Sequence, residues 1–256
     1  MIPSSIKLTI RNIRVNVDPG TLAFLLGLPA LYFFVLGLMF QGIVPDFEYG
    51  TVKISYVSFL APGIIGMQTL TAGNIGGSLL WADRRWGMFE QLMVGPFRRS
   101  DYLLGVVFVS IVFSLGGSLI MLGFAFSANA TFILSTLSIP YIIVALIIGT
   151  VFFTSLFLII AVVAKSMQAY NTITIVLFFF LDFASTAFYP ITSSTPIWLR
   201  AISSVNPVSL VCNIVRDSMV SGISSATMIS TLEMTGIMAL FFVLAMVMYR
   251  RVRVGA

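Results

Sequence analysis

The chain has 256 residues, 59% of them hydrophobic and only 9% charged, with a net charge of +5 and a mean hydropathy of +1.06. A soluble domain carries about 25% charged residues, and a soluble chain this apolar would expose large aggregation-prone patches. The composition therefore excludes an ordinary soluble fold and predicts an all-α polytopic membrane protein, a single transmembrane domain over residues 1–256.

The absence of histidine removes His bases, His metal ligands and His proton relays. The single cysteine, Cys212, allows no intramolecular disulfide. The positive charge sits in short loops and tails, as topology signals do, and does not point to nucleic acid. The first 20 residues lack an apolar core, so no cleavable signal peptide is expected.

In chain order, residues 4–18 read as a short amphipathic helix. Ile6, Ile10, Ile13 and Val17 fall on one stripe, with Lys7, Arg11 and Arg14 on the neighbouring face. That spacing suits a helix lying in the membrane interface with its basic side chains toward anionic lipid headgroups. Asp18-Pro19-Gly20 breaks it. Six spans are then expected, at 21–41, 55–81, 102–126, 138–164, 168–189 and 232–249. Between the last two, residues 191–231 are too polar and proline-broken to cross. Thr195-Pro196 and Asn206-Pro207 each place a capping residue before a proline at the first helical position. Two short outer re-entrant or interfacial helices are predicted, the second stopping at Gly222.

Basic residues set the orientation. Lys7, Arg11, Arg14, Arg84, Arg85, Arg98, Arg99, Lys165, Arg250, Arg251 and Arg253 fall on one side; Lys53, Arg200 and Arg216 fall on the other. The richer side is expected to be cytoplasmic, with both termini there.

Two spans carry polar stripes. In the fifth, Asn171, Thr174, Phe178, Asp182, Ser185 and Tyr189 recur every three or four residues and share a helical face. In the second, Gln68, Thr71, Asn74 and Ser78 accompany Gly73 and Gly77 in a GxxxG arrangement that allows close helix approach. A polar stripe faces a bundle interior, a partner subunit or a pathway. Gln68, Asn74, Asn171, Thr174, Phe178, Asp182 and Ser185 are therefore candidates for a pathway or a subunit interface. Asp182, the one acid well inside a span, is either functional or a carboxyl satisfied by a neighbouring helix.

The strongest local signal is residues 82–101, ADRRWGMFEQLMVGPFRRSD, where seven charged residues lie between two apolar runs. Trp86, Met88, Phe89, Leu92 and Met93 supply an apolar face, and Asp83, Arg84, Arg85 and Glu90 supply polar contacts. An apolar anchor with a charged rim is how a small docking patch gains affinity and register. No P-loop, phosphate cradle, metal cluster or nucleophile–base pair is visible in the sequence, so no catalytic, cofactor or metal site is expected in this chain.

This island resembles the cytoplasmic loop of type-2 ATP-binding-cassette (ABC) export permeases. The residues that carry the likeness are Asp83, Glu90-Gln91-Leu92, Gly95-Pro96 and Asp101-Tyr102-Leu103-Leu104-Gly105, with Asn206-Pro207, Arg216-Asp217 and Gly222 as a looser second pattern. The resemblance implies a coupling helix on which a separate ATPase docks, through Asp83, Arg84, Arg85, Trp86, Phe89, Glu90 and Leu92. The start of the loop, Asp83-Arg84-Arg85-Trp86, departs from the family's Glu-rich form, which leaves open whether Asp83 or Glu90 carries the main contact. It also implies two ATPase subunits that hold ATP and Mg, a second permease subunit (a homodimer), surrounding membrane lipid, and a hydrophobic or amphipathic cargo such as a drug, lipid or polysaccharide. Location in the cell membrane follows from the same likeness. The alternative function is a proton-coupled secondary carrier using Asp182; a membrane-embedded hydrolase stands third.

Overall fold

The structure, a computed structural model, describes residues 4–50, 52–95, 97–192 and 195–250. Pro96 of the loop pattern, and Arg251 and Arg253 of the orientation count, lie outside the described residues. The elements in order are α1 (Ser4–Asn16), α2 (Pro19–Gln41), β1 (Phe47–Tyr49), β2 (Val52–Ile54), α3 (Tyr56–Arg85), α4 (Met88–Val94), α5 (Arg99–Ser127), α6 (Ser138–Val163), α7 (Met167–Phe183), α8 (Ile197–Val205), α9 (Pro207–Ser221) and α10 (Ser225–Arg250). Asp18 starts α2 by accepting from the Gly20 and Thr21 amides, with Pro19 at the first helical position. The hydrogen bond from the Thr21 hydroxyl, with these two from the backbone, holds the carboxyl of this exposed side chain below the usual range.

Helix α3 is the axis of the bundle, packed by α5, α6, α9 and α2. Its GxxxG pair works as close contact with α6: a Cβ on Gly73 would fall 2.8 Å from the Thr154 amide nitrogen and 2.6 Å from Phe153 Cβ. Only glycine lets two backbones meet at that distance. Two clusters of buried side chains result. One runs from Phe33 and Phe59 to Phe153 and Val211; the other gathers Leu8, Leu79, Phe89, Tyr102 and Tyr249 at the α4 end.

Among the described residues, four helices are long and apolar enough to cross a membrane: α2, α5, α6 and Ser225–Tyr249 of α10. The pair α8 and α9 meets the same criterion jointly, bent by 79° at Asn206, which brings the total to five at most. The expectation of six spans is therefore met in part, and the two remaining helices explain the difference. Helix α3 has 30 residues, about 45 Å at 1.5 Å per residue. Sheathed by neighbours, it carries Gln68, Thr69, Thr71 and five glycines that a lipid-facing helix would not. Helix α7 has 17 residues, about 26 Å, and ends at Phe183 instead of continuing to Tyr189.

The two short helices expected before the last span are present. Asn206 caps α9 by accepting from the Val208 amide at 2.9 Å, and Gly222 stops it at φ +88°. The polar loop at 42–54 holds an antiparallel hairpin, with Glu48 opposite Lys53.

Candidate functional site

The charged island folds as the end of α3, a turn at Trp86 and Gly87, and the short helix α4. Its charges divide into an inner and an outer set. Asp83 is 4% exposed and pairs with Arg11 of α1 through two contacts, Nη2 to Oδ1 at 2.6 Å and Nη1 to Oδ2 at 3.0 Å. The Tyr102 hydroxyl of α5 donates to the same carboxylate at 2.8 Å. A two-pronged Arg–carboxylate pair is both directional and strong, and here it clamps α1, α3 and α5 together. The bond to Asp83 holds the Arg11 guanidinium above its ordinary range. Arg11 was expected to face lipid headgroups with Lys7 and Arg14; it turns inward, whereas Lys7 and Arg14 stay exposed.

Phe89 is also internal. It is fully buried, edge-on to Tyr102 at 5.4 Å and to Tyr249 at 5.9 Å. Asp83 and Phe89, expected on the docking face, are instead buried beneath this end of the molecule. Arg84 lies against Trp81 and reaches the Ala161 carbonyl at 3.4 Å; Glu90 and Leu92 are half-buried. What the end of the molecule presents outward is Arg85, Trp86 (77% exposed), Met88, Gln91 and Val94 (86% exposed), with Arg85 beside the Trp86 ring.

The polar stripes also separate. On α7, Thr174, Phe178 and Asp182 are buried but Asn171 is exposed; Ser185, also buried, lies in the turn beyond the helix end at Phe183. The inward line is Tyr170, Thr174, Phe178 and Asp182, four residues apart. The Tyr170 hydroxyl donates to Asn74 Oδ1 at 3.0 Å, joining the two stripes at one point. Gln68 turns instead to α5, where Gly117 leaves room for its amide, and neither amide atom has a protein partner. Asp182 is fully buried with both carboxyl oxygens likewise unpartnered, while Ser185 donates to its backbone carbonyl. The opposite face of α7, with Ile175, Val176 and Phe180, is more than half exposed.

At the hairpin end the central residue is Arg216, expected only as an outer charge and as part of the looser Arg216-Asp217 pattern. It is the largest fully buried side chain. Its Nε donates to the Phe59 carbonyl at 3.0 Å, and Nη2 donates to the Thr186 carbonyl at 2.8 Å and the Ala187 carbonyl at 3.3 Å. Nη1 donates to Asn213 Oδ1 at 3.1 Å, and the guanidinium lies 3.8 Å from the Phe59 ring centroid. A Cβ on Gly63 would stand 2.8 Å from Nη2 and 2.2 Å from the Ala187 oxygen, so glycine is what admits the arrangement. Asp217 accepts from Tyr49 at 2.7 Å and from Thr227 at 3.0 Å, tying the hairpin to α9 and α10. Burial raises the Tyr49 hydroxyl to about 12. Beside this network opens a cavity of about 1010 Å³. None of the seven stripe candidates lines it. The sequence offered one clue to Arg216, a lone arginine inside an otherwise apolar helix, but its carbonyl acceptors leave no sequence signature.

These features define a multi-pass helical membrane protein with a short exposed helix at one end and an aromatic cavity at the other. The chain belongs to the ABC-2 type transporter family, whose model matches residues 8–220. It is similar to the protein named "Putative transport permease ycf38" of Porphyra purpurea, 28% identical over 167 residues, 62% of this chain and 54% of that relative. The protein of the same name from Pyropia yezoensis is 28% identical over 200 residues, 75% of this chain and 65% of that relative. The chain therefore spans between half and two thirds of these relatives' length.

Proposed function

We propose that this chain is the permease subunit of an ATP-driven exporter in the cell membrane, with its termini and the α4 end cytoplasmic. Two copies pair, and two copies of a separate ATPase, which hold ATP and magnesium, dock beneath. Six crossings are made by α2, α3, α5, α6, α7 and α10, while α8 and α9 dip into the outer leaflet. The cargo is a hydrophobic or amphipathic molecule: a drug, a lipid or a polysaccharide. The observation that carries this reading is the α4 end. Arg85, Trp86, Met88, Gln91 and Val94 point outward from a base fixed by the Asp83–Arg11 pair and the buried Phe89 ring. A docking patch that is exposed on top and rigid underneath transmits force into α3 and α5 without first ordering itself.

The test is co-purification of the tagged chain with the P-loop ATPase encoded beside it, followed by transport in liposomes. A Trp86→Ala, Val94→Asp double variant is expected to lose about 30-fold in affinity, the effect of about 2 kcal/mol at a docking anchor. Parental binding and ATP-dependent transport in that variant would remove the main support. Orientation is read by labelling Gln91→Cys with an impermeant maleimide in a Cys212→Ser background; labelling from outside intact cells would reverse it. A second reading, the proton-coupled carrier, is favoured by one observation only, the buried Asp182 with both oxygens unpartnered. Transport driven by a pH gradient without ATP, and lost in Asp182→Asn, would put that reading first.

A further inference from the structure

The cavity at the hairpin end lies between the end of α2, the hairpin, and residues 183–192 after α7. Phe40, Phe47, Tyr49, Phe183, Phe188 and Tyr189 are among its walls. The rings brace one another: Phe183 and Phe188 lie 5.7 Å apart, Phe40 and Tyr56 5.5 Å, and Phe47 and Phe59 5.5 Å. The Tyr189 hydroxyl donates to the Phe183 carbonyl, which holds that stretch of chain in a bend. Its volume, about 1010 Å³, is at the upper end of the range for a drug-sized ligand.

Its charge is lopsided. Asp46 and Glu48, both exposed, line the cavity, and neither has an ion pair among the described residues. The cation in the lining is Arg216, and it is sealed: fully buried, its donors directed to three backbone carbonyls and Asn213, with the Phe59 and Tyr49 rings over the guanidinium. Asp217, next in the chain, sits in the same network beside Tyr49. A ligand entering the cavity therefore meets ring faces and carboxylates, not a free guanidinium. Aromatic faces attract a cation through their negative quadrupole, and carboxylates favour the same sign of charge.

We propose that this cavity is a binding site for a lipophilic cation, a bulky apolar body carrying a delocalised or quaternary positive charge. The inference deepens the transport reading and rests on it, since it names the cargo class the hairpin end would accept. Entry needs no break in the Arg216 network, because Arg216 is one lining residue whose donors are already directed to the Phe59, Thr186 and Ala187 carbonyls and Asn213.

The test uses the full chain in lipid nanodiscs and two probes of the same shape and opposite charge, tetraphenylphosphonium and tetraphenylborate, with empty nanodiscs subtracted. The expected result is saturable phosphonium binding at one site per chain and no saturable borate binding. An Asp46→Asn, Glu48→Gln double variant, which alters only exposed side chains, should weaken the phosphonium site about tenfold, and Tyr189→Ala should weaken it further. Three results would overturn the proposal: no saturable phosphonium binding, equal binding of both ions, or tighter binding of the borate, which would assign the cavity to anions through Arg216. Unchanged phosphonium affinity in the double acid variant would overturn it as well. ATPase co-purification is measured on the same samples. Retained docking with failed cation binding sinks only this inference, whereas cation binding without docking leaves the site and removes the exporter.

Discussion

The two ends of the molecule each bury a charge, and they neutralise it by opposite means. At the α4 end Asp83 is answered by a full countercharge, Arg11, reinforced by Tyr102. At the hairpin end Arg216 has no carboxylate within ion-pair distance among the described residues and is held by carbonyl dipoles and rings. Breaks in the helices explain the contrast. The chain between α7 and α8 is not helical, so the Thr186 and Ala187 carbonyls are free to accept, and a five-donor fork can collect several at once. A carboxylate has only acceptors and must find donors, which inside helices are already spent on the backbone; it needs an arginine or a hydroxyl from elsewhere. One end is therefore an ion pair between helices, and the other a cation that sews a loop to a helix.

The largest expected effect follows from that contrast. Arg216→Met should destabilise the protein by about 3–5 kcal/mol, because it strands carbonyl groups in a dry site. The readout is thermal unfolding of the purified protein in detergent and the yield of folded material. Gly63→Ala should act in the same direction by forcing the Ala187 carbonyl away. If either variant matches the parent, the network is not the clasp described here.

Next in size is Phe89→Ala, at about 3 kcal/mol, for a fully buried ring in contact with Tyr102 and Tyr249. The Asp83–Arg11 pair should be worth less, because the Arg11 side chain is 24% exposed. Asp83→Asn is expected to cost about 2 kcal/mol, and the Arg11→Met, Asp83→Asn double variant less than the sum of the single changes. Additive costs in that cycle would mean the two side chains do not work as a unit.

Much of this was legible in the sequence, and the limits have physical causes. The island was visible as charge concentrated between apolar runs, and the stops at Asn206-Pro207 and Gly222 follow from turn chemistry. Which of the island's residues point inward was not, because Phe89 and Trp86 are the same kind of residue to a pattern, and the covering rings, Tyr102 and Tyr249, come from other helices. The α7 stripe gave Thr174, Phe178 and Asp182 their common burial, but it could not foresee that the helix ends at Phe183, leaving Ser185 in the turn beyond it, or that Asn171, near the helix start, falls outside the packed region. Of the six expected spans, the second stands apart in composition, since a helix wrapped by others is free to be polar and α3 used that freedom.

The smallest expected effect on stability is the one that best separates the base of the island from its top. Trp86→Ala removes a side chain that is 77% exposed and touches chiefly its neighbour Arg85. A surface change of that kind falls within about 0.5 kcal/mol, so unfolding should be unchanged where Phe89→Ala shifts it strongly. In ATPase co-purification the order should invert per unit of stability lost: Trp86→Ala weakens docking while the chain stays folded, and Phe89→Ala weakens it only as far as α4 loses its place. Restoring α4 tests the second half of that statement. A Phe89→Leu variant, which refills most of the buried volume, should recover both stability and docking, whereas no change elsewhere in the island should rescue Trp86→Ala. If Trp86→Ala docks like the parent and Phe89→Leu does not, the partner reads the buried ring after an opening of α4, and the rigid-base account of this end gives way to one in which docking unfolds it.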